Sequence, residues 1–462
     1  MLTSSVIPLS IPSESILMWE RRGFPQTCYC AFILEGNCDP AAFSEAVLKA
    51  QETRPEVHSY LRPFKRNGLW LLGWHVSQHK NKLRIRDLRH LKQIPQDLYS
   101  WVHSQMLYHT QRIMNLDHEF PTRFYLFLLP KGINIFVNLG HHVVSDAWRV
   151  LEWARDVFSI YHLETTGQVP PWTDVLPLHS DAMPHFRFAT SISKYRSFLK
   201  SMSCAFSPPW YRITQIVSTR GPVGRRVVAR RIIDEYGKLE ALRARARDLG
   251  GSVSDLFVSA SKLALCQWNR EKGRQSDIFL HSLAVNQRPR AFNSNKKSQA
   301  NLLSKVTIPS TSKDRQDPEQ LLGYVTSYRR NMMDQGIDIS LLRLAGTGIA
   351  ISRLLPYSVR ARLMRPILDQ KASMLVSNFG VIWPQIDNRK PSNKTAIQNV
   401  GQLKLTDVQF NVGTPKNTPL VLILLTSFEK FQMVLSAASD RVSHEDAKDF
   451  LCLIEKKAFQ YL

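Results

Sequence analysis

His141 and His142 stand side by side in this chain, and Asp146 follows four residues after the second. Imidazole exchanges a proton near neutral pH, so a histidine presented to a hydroxyl or amine can act as a general base. An aspartate a few residues on can hold the local backbone by capping a helix, or pair with a distant arginine. The spacing alone fits a structural histidine pair beside a capping aspartate equally well.

The flanking elements argue that the pair is presented at an edge. Residues 133–139 form an apolar run that reads as a buried strand, and Gly140 ends it. Residues 122–129 are a second such run, joined to the first by Pro130-Lys131-Gly132, a turn signal. Together they predict a hairpin that delivers the histidines to the start of a helix over 146–162. In that helix Trp148, Leu151, Ala154, Val157, Phe158 and Tyr161 recur at helical spacing. Upstream, residues 28–34 and 70–76 read as strands, 40–52 and 98–113 as helices.

Residues 167–184 are proline-rich and lack a period, as a linker between two lobes would be. The lobe boundaries are therefore set at 1–175 and 176–462. In the second half, 226–233, 279–285 and 305–308 read as strands. Residues 236–249 and 252–268 read as helices, the latter capped by Ser252 or Ser254. Helical spacing covers 318–333 and 340–365. Strands follow at 373–377, 403–411, 420–427 and 431–436, and a helix at 445–459. Strands and helices alternate in each half, which predicts an α/β architecture.

The chain has 462 residues, 44% of them apolar, and a formal charge of +23 from 61 Lys+Arg against 38 Asp+Glu. Such a balance suits an anionic partner: a phosphorylated cofactor, an acidic carrier protein or an acidic lipid surface. No zinc-finger spacing or basic tail interleaved with stacking aromatics is present, and nucleic acid is not expected. Arg220, Arg225, Arg226, Arg230 and Arg231 cluster around one strand. Arg353, Arg360, Arg362 and Arg365 interleave with Leu354, Leu355, Val359, Leu363 and Met364, the pattern of an interfacial surface, apolar on one side and cationic on the other. The six cysteines show no metal-ligand spacing; Cys28 and Cys30 share one face of a strand. Reduced thiols and the lack of a secretory leader or a membrane-length apolar run lead to the expectation of a cytoplasmic protein, with peripheral contact at a membrane surface open.

The stretch HHVVSDA (141–147) resembles the HHxxxDG signature of the thioester-dependent acyltransferase superfamily, with Ala147 in place of the usual glycine. That superfamily includes chloramphenicol acetyltransferase, peptide-synthetase condensation domains, plant alcohol acyltransferases and bacterial wax-ester synthases. SVSDLF (252–257) resembles the TVNDVL helix start of the wax-ester synthases, and AVNQRPR (284–290) the N-x-R segment after it. Asn301 with KVTIP, the proline-broken helices over 351–366 and Ser377-Asn378-Phe379-Gly380 resemble later segments in the same order. The opening over residues 12–61 matches too, while the D-F-G-W-G of plant relatives is absent.

The resemblance implies two lobes shaped like chloramphenicol acetyltransferase, each a mixed sheet with helices, forming a V with a channel between them. It implies that His142 is the general base and that His141 sets the turn or assists catalysis. Asp146 would pair with Arg288 from the second lobe, or with Arg290, and Ser377, Asn378 and Gly380 would lie along the channel. The reaction implied is transfer of an acyl group from coenzyme A or an acyl carrier protein to an alcohol or amine, with no metal or redox cofactor. Ester formation is the leading reading. A free-standing amide-forming condensation enzyme and a catalytically silent carrier-binding protein are the alternatives.

Overall fold

The computed structural model describes residues 6–20, 24–144, 146–170, 199, 213–221, 225–233, 236–275, 277–287, 303–368, 371–382, 399–428 and 430–462. Arg288, Arg290, Asn301, Ser145 and most of the 167–184 segment lie outside the described residues.

Two six-stranded mixed sheets organise the chain. The first runs β12 (Asn399–Val400), β13 (Leu403–Asn411), β2 (Thr27–Glu35), β7 (Ile133–His141), β6 (Thr122–Leu128) and β5 (Leu83–Asp87). The second runs β10 (Leu303–Ser310), β9 (Phe279–Asn286), β11 (Met374–Val381), β14 (Leu420–Ser427), β15 (Lys430–Ala438) and β8 (Arg226–Ile233). A small three-stranded sheet, β1 (Val6–Pro8), β4 (Leu69–Val76) and β3 (Ser59–Arg66), stands beside the first. The second half of the chain thus returns β12 and β13 to the first sheet. β13 pairs with β2 in antiparallel register, Phe410 opposite Cys30 and Asn411 opposite Tyr29.

Two large cores pack the sheets, and the first also takes in Val421, Ile423 and Val434 of the second sheet. Phe32, Phe43, Phe136 and Phe158 pack in the first, where the helices α2 (Pro40–Ala50) and α4 (Ala147–Thr166) cover the sheet. In the second, Phe257, Leu263 and Leu265 of α6 (Val253–Glu271) pack with Phe431, Leu422 and Phe450. These side chains supply the apolar burial that drives folding. The helices start where short polar side chains satisfy the free N–H groups of the first turn. Asp39 caps α2, Asp97 caps α3 (Leu98–Thr110), and Ser252 with Asp255 forms a reciprocal capping box on α6. Asp255 also holds Arg329 of α7 (Pro318–Asp334) through two hydrogen bonds.

The hairpin over 122–141 and the helix after it form where the apolar pattern placed them. The helical pattern over 340–365 is two helices, α8 (Ile337–Ser352) and α9 (Tyr357–Leu368), broken at Pro356, which lacks the N–H that would continue the ladder, in line with the proline-broken pattern noted over 351–366. Other features differ from the expectation. β10 is longer than the short 305–308 segment. β3 and β5 had no strand signal, since both are edge strands rich in exposed arginine and lysine, the composition that keeps edges from pairing with other chains.

Candidate functional site

The turn that carries the histidines is fixed on three sides by the backbone. His141 N–H donates to Pro121 O (2.8 Å), His142 N–H to Gln26 O (2.8 Å) and Val144 N–H to His141 O (3.0 Å). The starts of β6 and β2 therefore set its position.

The two histidines do different work. His141 is fully buried. Its Nδ1 accepts the Val143 N–H at 3.1 Å. That acceptance leaves the ring proton to Nε2, which lies 3.0 Å from Oε2 of the buried Glu20. Oε1 of Glu20 in turn accepts the Gln26 N–H at 2.9 Å. Glu20, Gln26 and His141 thus form one support beneath the turn. His142 is half-buried and lines a cavity of about 130 Å³. That space is several times what one water needs.

The cavity is walled by both halves of the molecule. Trp19, Cys28 and Asn138 contribute from the first lobe, Leu375, Ser377 and Phe379 from β11, and the segment from Phe410 to Gly413 crosses between the sheets. Its lining is overwhelmingly apolar, with His142 and Asp146 its ionisable groups besides Cys28 and Tyr29. Burial raises the Cys28 thiol and the Tyr29 phenol, so both stay protonated and neither is an activated nucleophile.

Asp146 is buried and caps α4, its Oδ1 accepting the Arg149 N–H at 3.1 Å. Its expected partners Arg288 and Arg290 lie outside the described residues. Ala147 opens α4 without a positive φ, so the residue that departs from the usual glycine meets no backbone strain.

Of the three residues expected along the channel, only Ser377 lines the cavity. Asn378 is committed elsewhere: its Nδ2 donates to Ser254 Oγ (2.9 Å) and its Oδ1 accepts the Gly380 N–H (2.8 Å). Gly380, with φ +67°, belongs to the register irregularity near the end of β11 and likewise is not among the lining residues. Asparagine readily bonds the backbone two residues on, as it does here.

The arginine cluster around β8 is divided: Arg220, Arg225 and Arg231 are exposed, whereas Arg226 and Arg230 turn inward. Arg226 is buried and donates to Thr27 O (2.9 Å), Asn411 Oδ1 (2.8 Å) and Pro25 O (3.0 Å). Arg230 reaches Asp407 at 2.8 and 2.6 Å. Arg231 pairs with Glu455. Arg226 and Arg230 tie the edge of the second sheet to β2 and β13 of the first. Beside them, His103 Nδ1 faces Tyr29 Oη (3.3 Å) and Asn411 Nδ2 (3.2 Å), and burial pushes its pKa down to about 4. Sequence patterns gave no hint of Glu20, Trp19 or Arg226 as parts of the site. Arg226 stood in a basic run, and nothing local distinguishes a buried cation from a solvated one. Among the described residues no group of His, Cys, Asp or Glu could hold a metal ion.

No protein-family profile and no curated protein sequence matches the chain. Solved structures do match in fold. The first condensation domain of the calcium-dependent antibiotic synthetase, in complex with a substrate analogue, superposes with a TM-score of 0.70 at 14% identity, covering 99% of this chain and 97% of that one. Trichothecene 15-O-acetyltransferase from Fusarium sporotrichioides gives 0.67 at 12% identity, over 98% and 95%. The starter condensation domain of rhizomide synthetase, in complex with C8-CoA, gives 0.67 at 12% identity, over 100% and 96%. The chain therefore has the two-lobed α/β fold that the HHxxxD resemblance implied. At these identities the likeness establishes the fold alone.

Proposed function

We propose that the protein is an acyltransferase that moves an acyl group from a thioester to a neutral acceptor, with His142 as general base. The observation that carries this reading is the His142 ring at the wall of an apolar cavity bounded by both lobes. The acceptor O–H gives its proton to the imidazole as its oxygen attacks the thioester carbonyl carbon. The C–S bond then breaks, and the proton passes from the imidazolium to the leaving thiolate. The products are an ester and a free thiol, and the residues named need no metal or redox group for this sequence.

The rhizomide synthetase domain binds C8-CoA, and the Fusarium protein is an O-acetyltransferase. By analogy the donor here is acyl-coenzyme A or an acyl carrier protein. The lining favours a hydroxyl acceptor over an amine. An amine arrives mainly as ammonium at neutral pH, and an apolar wall whose carboxylate, Asp146, already caps a helix offers it little compensation. Asp146 shapes the start of α4 and does not take part in proton transfer.

The test is release of free thiol from acyl-coenzyme A and acyl-carrier thioesters, screened against alcohols and amines with product detection by mass spectrometry. Acceptor-dependent thiol release that is lost in His142→Ala supports the reading. Undiminished turnover in that variant refutes the role of His142, and no turnover with any donor leaves a carrier-binding protein of the same fold as the better account.

A further inference from the structure

The α8–α9 hairpin turns its arginines inward and its aliphatic side chains outward, the reverse of what its sequence suggests. α9 and α8 pack on α1 (Ile11–Trp19) through Met18, Ile349, Ala361, Met364 and Leu368. Arg360 is fully buried and meets Glu14 of α1 at 2.6 Å; its Nη1 donates to Trp70 O. Arg353 meets the same carboxylate at 2.9 Å and donates to Leu9 O. Arg365 donates to Met18 O. Of the four arginines between 353 and 365, three are thus spent on the interior.

What faces solvent is Ile351 (65% exposed), Leu354 (65%), Leu355 (38%), Val359 (45%) and Leu363 (57%). No other stretch of the described residues gathers large exposed apolar side chains in this way. Contiguous apolar exposure on this scale marks a contact surface. Its rim is cationic. Arg362 is exposed beside Leu363, and the tip of the β3–β4 hairpin carries exposed Lys65 and Arg66. The hydrogen bond from Trp70 N–H to Arg353 O (2.7 Å) holds that hairpin against the helix turn. Residues 344–368 and 60–76 contain no Asp or Glu.

We infer that this face docks on an anionic lipid surface, with the five aliphatic side chains entering the acyl boundary and Lys65, Arg66 and Arg362 meeting the headgroups. Apolar residues at a helical turn with flanking Lys and Arg are what such a surface selects. Charge argues against a second copy of the chain, because the rim has no carboxylate to answer its own cations. The face itself is aliphatic and its cations stand only at the rim, an arrangement that suits a lipid boundary better than an acidic protein surface. Among the described residues no helix is long and apolar enough to cross a membrane, so the contact is peripheral. α1, which the hairpin covers, ends at Trp19 in the cavity wall, so a docked hairpin sets the cavity near a source of apolar substrate.

The test is co-sedimentation of the full chain with phosphatidylcholine–phosphatidylserine vesicles and with phosphatidylcholine alone, at low and high salt. The variants are Leu354→Glu with Leu363→Glu, and Lys65→Ala with Arg66→Ala; circular dichroism and thermal unfolding verify their folding. We expect salt-sensitive binding to the anionic vesicles, weakened at least about tenfold by the glutamate pair and several-fold by the alanine pair. Absence of vesicle binding by the parent chain overturns the inference. So does equal binding by the glutamate variant, or a self-association that this variant abolishes while vesicle binding is absent. None of these outcomes depends on acyl transfer.

Discussion

Oε2 of Glu20 lies 3.0 Å from Nε2 of His141, below the turn that presents His142 to the cavity. Because Nδ1 of His141 accepts a backbone N–H, this carboxylate stands on the only side of the ring that can carry a proton in the neutral form. One buried acid thereby fixes the orientation of a ring and, through Gln26, the strand start on which His142 hangs.

Removing that support should misplace the turn without removing the base. Glu20→Ala removes the acceptor of the buried Gln26 N–H and the carboxylate beside the buried His141 ring, a loss of about 1–3 kcal/mol. Unfolding in urea should register that loss. Thiol-release kcat should fall by about tenfold or more, since small misplacements of a base are strongly felt. Glu20→Gln, which keeps an acceptor, should recover part of both. Unchanged stability in Glu20→Ala would remove this carboxylate from the account.

His142→Ala should do the opposite. The ring is half-buried at a cavity wall, so its loss should leave the melting temperature within a few degrees of the parent, while acceptor-dependent turnover falls by about 10²–10⁴, the usual yield of a general base.

Glu14 is fully buried and meets both Arg353 and Arg360. Glu14→Ala would strand Arg360 in the interior, and breaking such a pair from one side loses about 3–5 kcal/mol. Urea unfolding should show a comparable loss, and replacing Glu14 and Arg360 together by methionine should be milder than Glu14→Ala alone. Equal losses would mean that packing and not charge sets the penalty.

Acid should loosen the chain through its buried histidines. Burial pushes the pKa of His103 down to about 4, and burial, aided by Arg123, Arg112 and Arg84, does the same to His109. Burial moves His281 downward as well. A base whose folded pKa is depressed binds its proton more readily when unfolded. Stability therefore holds above the unfolded value of about 6.5 and declines as pH falls from there toward about 4. Thermal unfolding at constant ionic strength should trace that decline, and His103→Gln should flatten it.

The sequence by itself determined the pieces whose cause is local. Two apolar runs with a turn between them specified the hairpin of β6 and β7 and the helix that follows, although β7 continues through Gly140 to His141. The HHxxxD stretch implied the two-lobed fold, and the superpositions bear this out. Only the tertiary structure decided which charges are interior and what meets across the cavity. Arg226, Arg353 and Arg360 read as surface cations because an arginine looks the same in sequence whether water or a buried acceptor surrounds it. Their partners lie far along the chain, Glu14 being 339 residues from Arg353, and no periodicity reports a contact at that range. The commitment of Asn378 was equally hidden: its hydrogen bonds to the Gly380 N–H and Ser254 Oγ hold it within β11, while Ser377 lines the wall. Local patterns fix elements because backbone geometry repeats every few residues, whereas a cavity is fixed by the packing of strands that the chain order keeps apart.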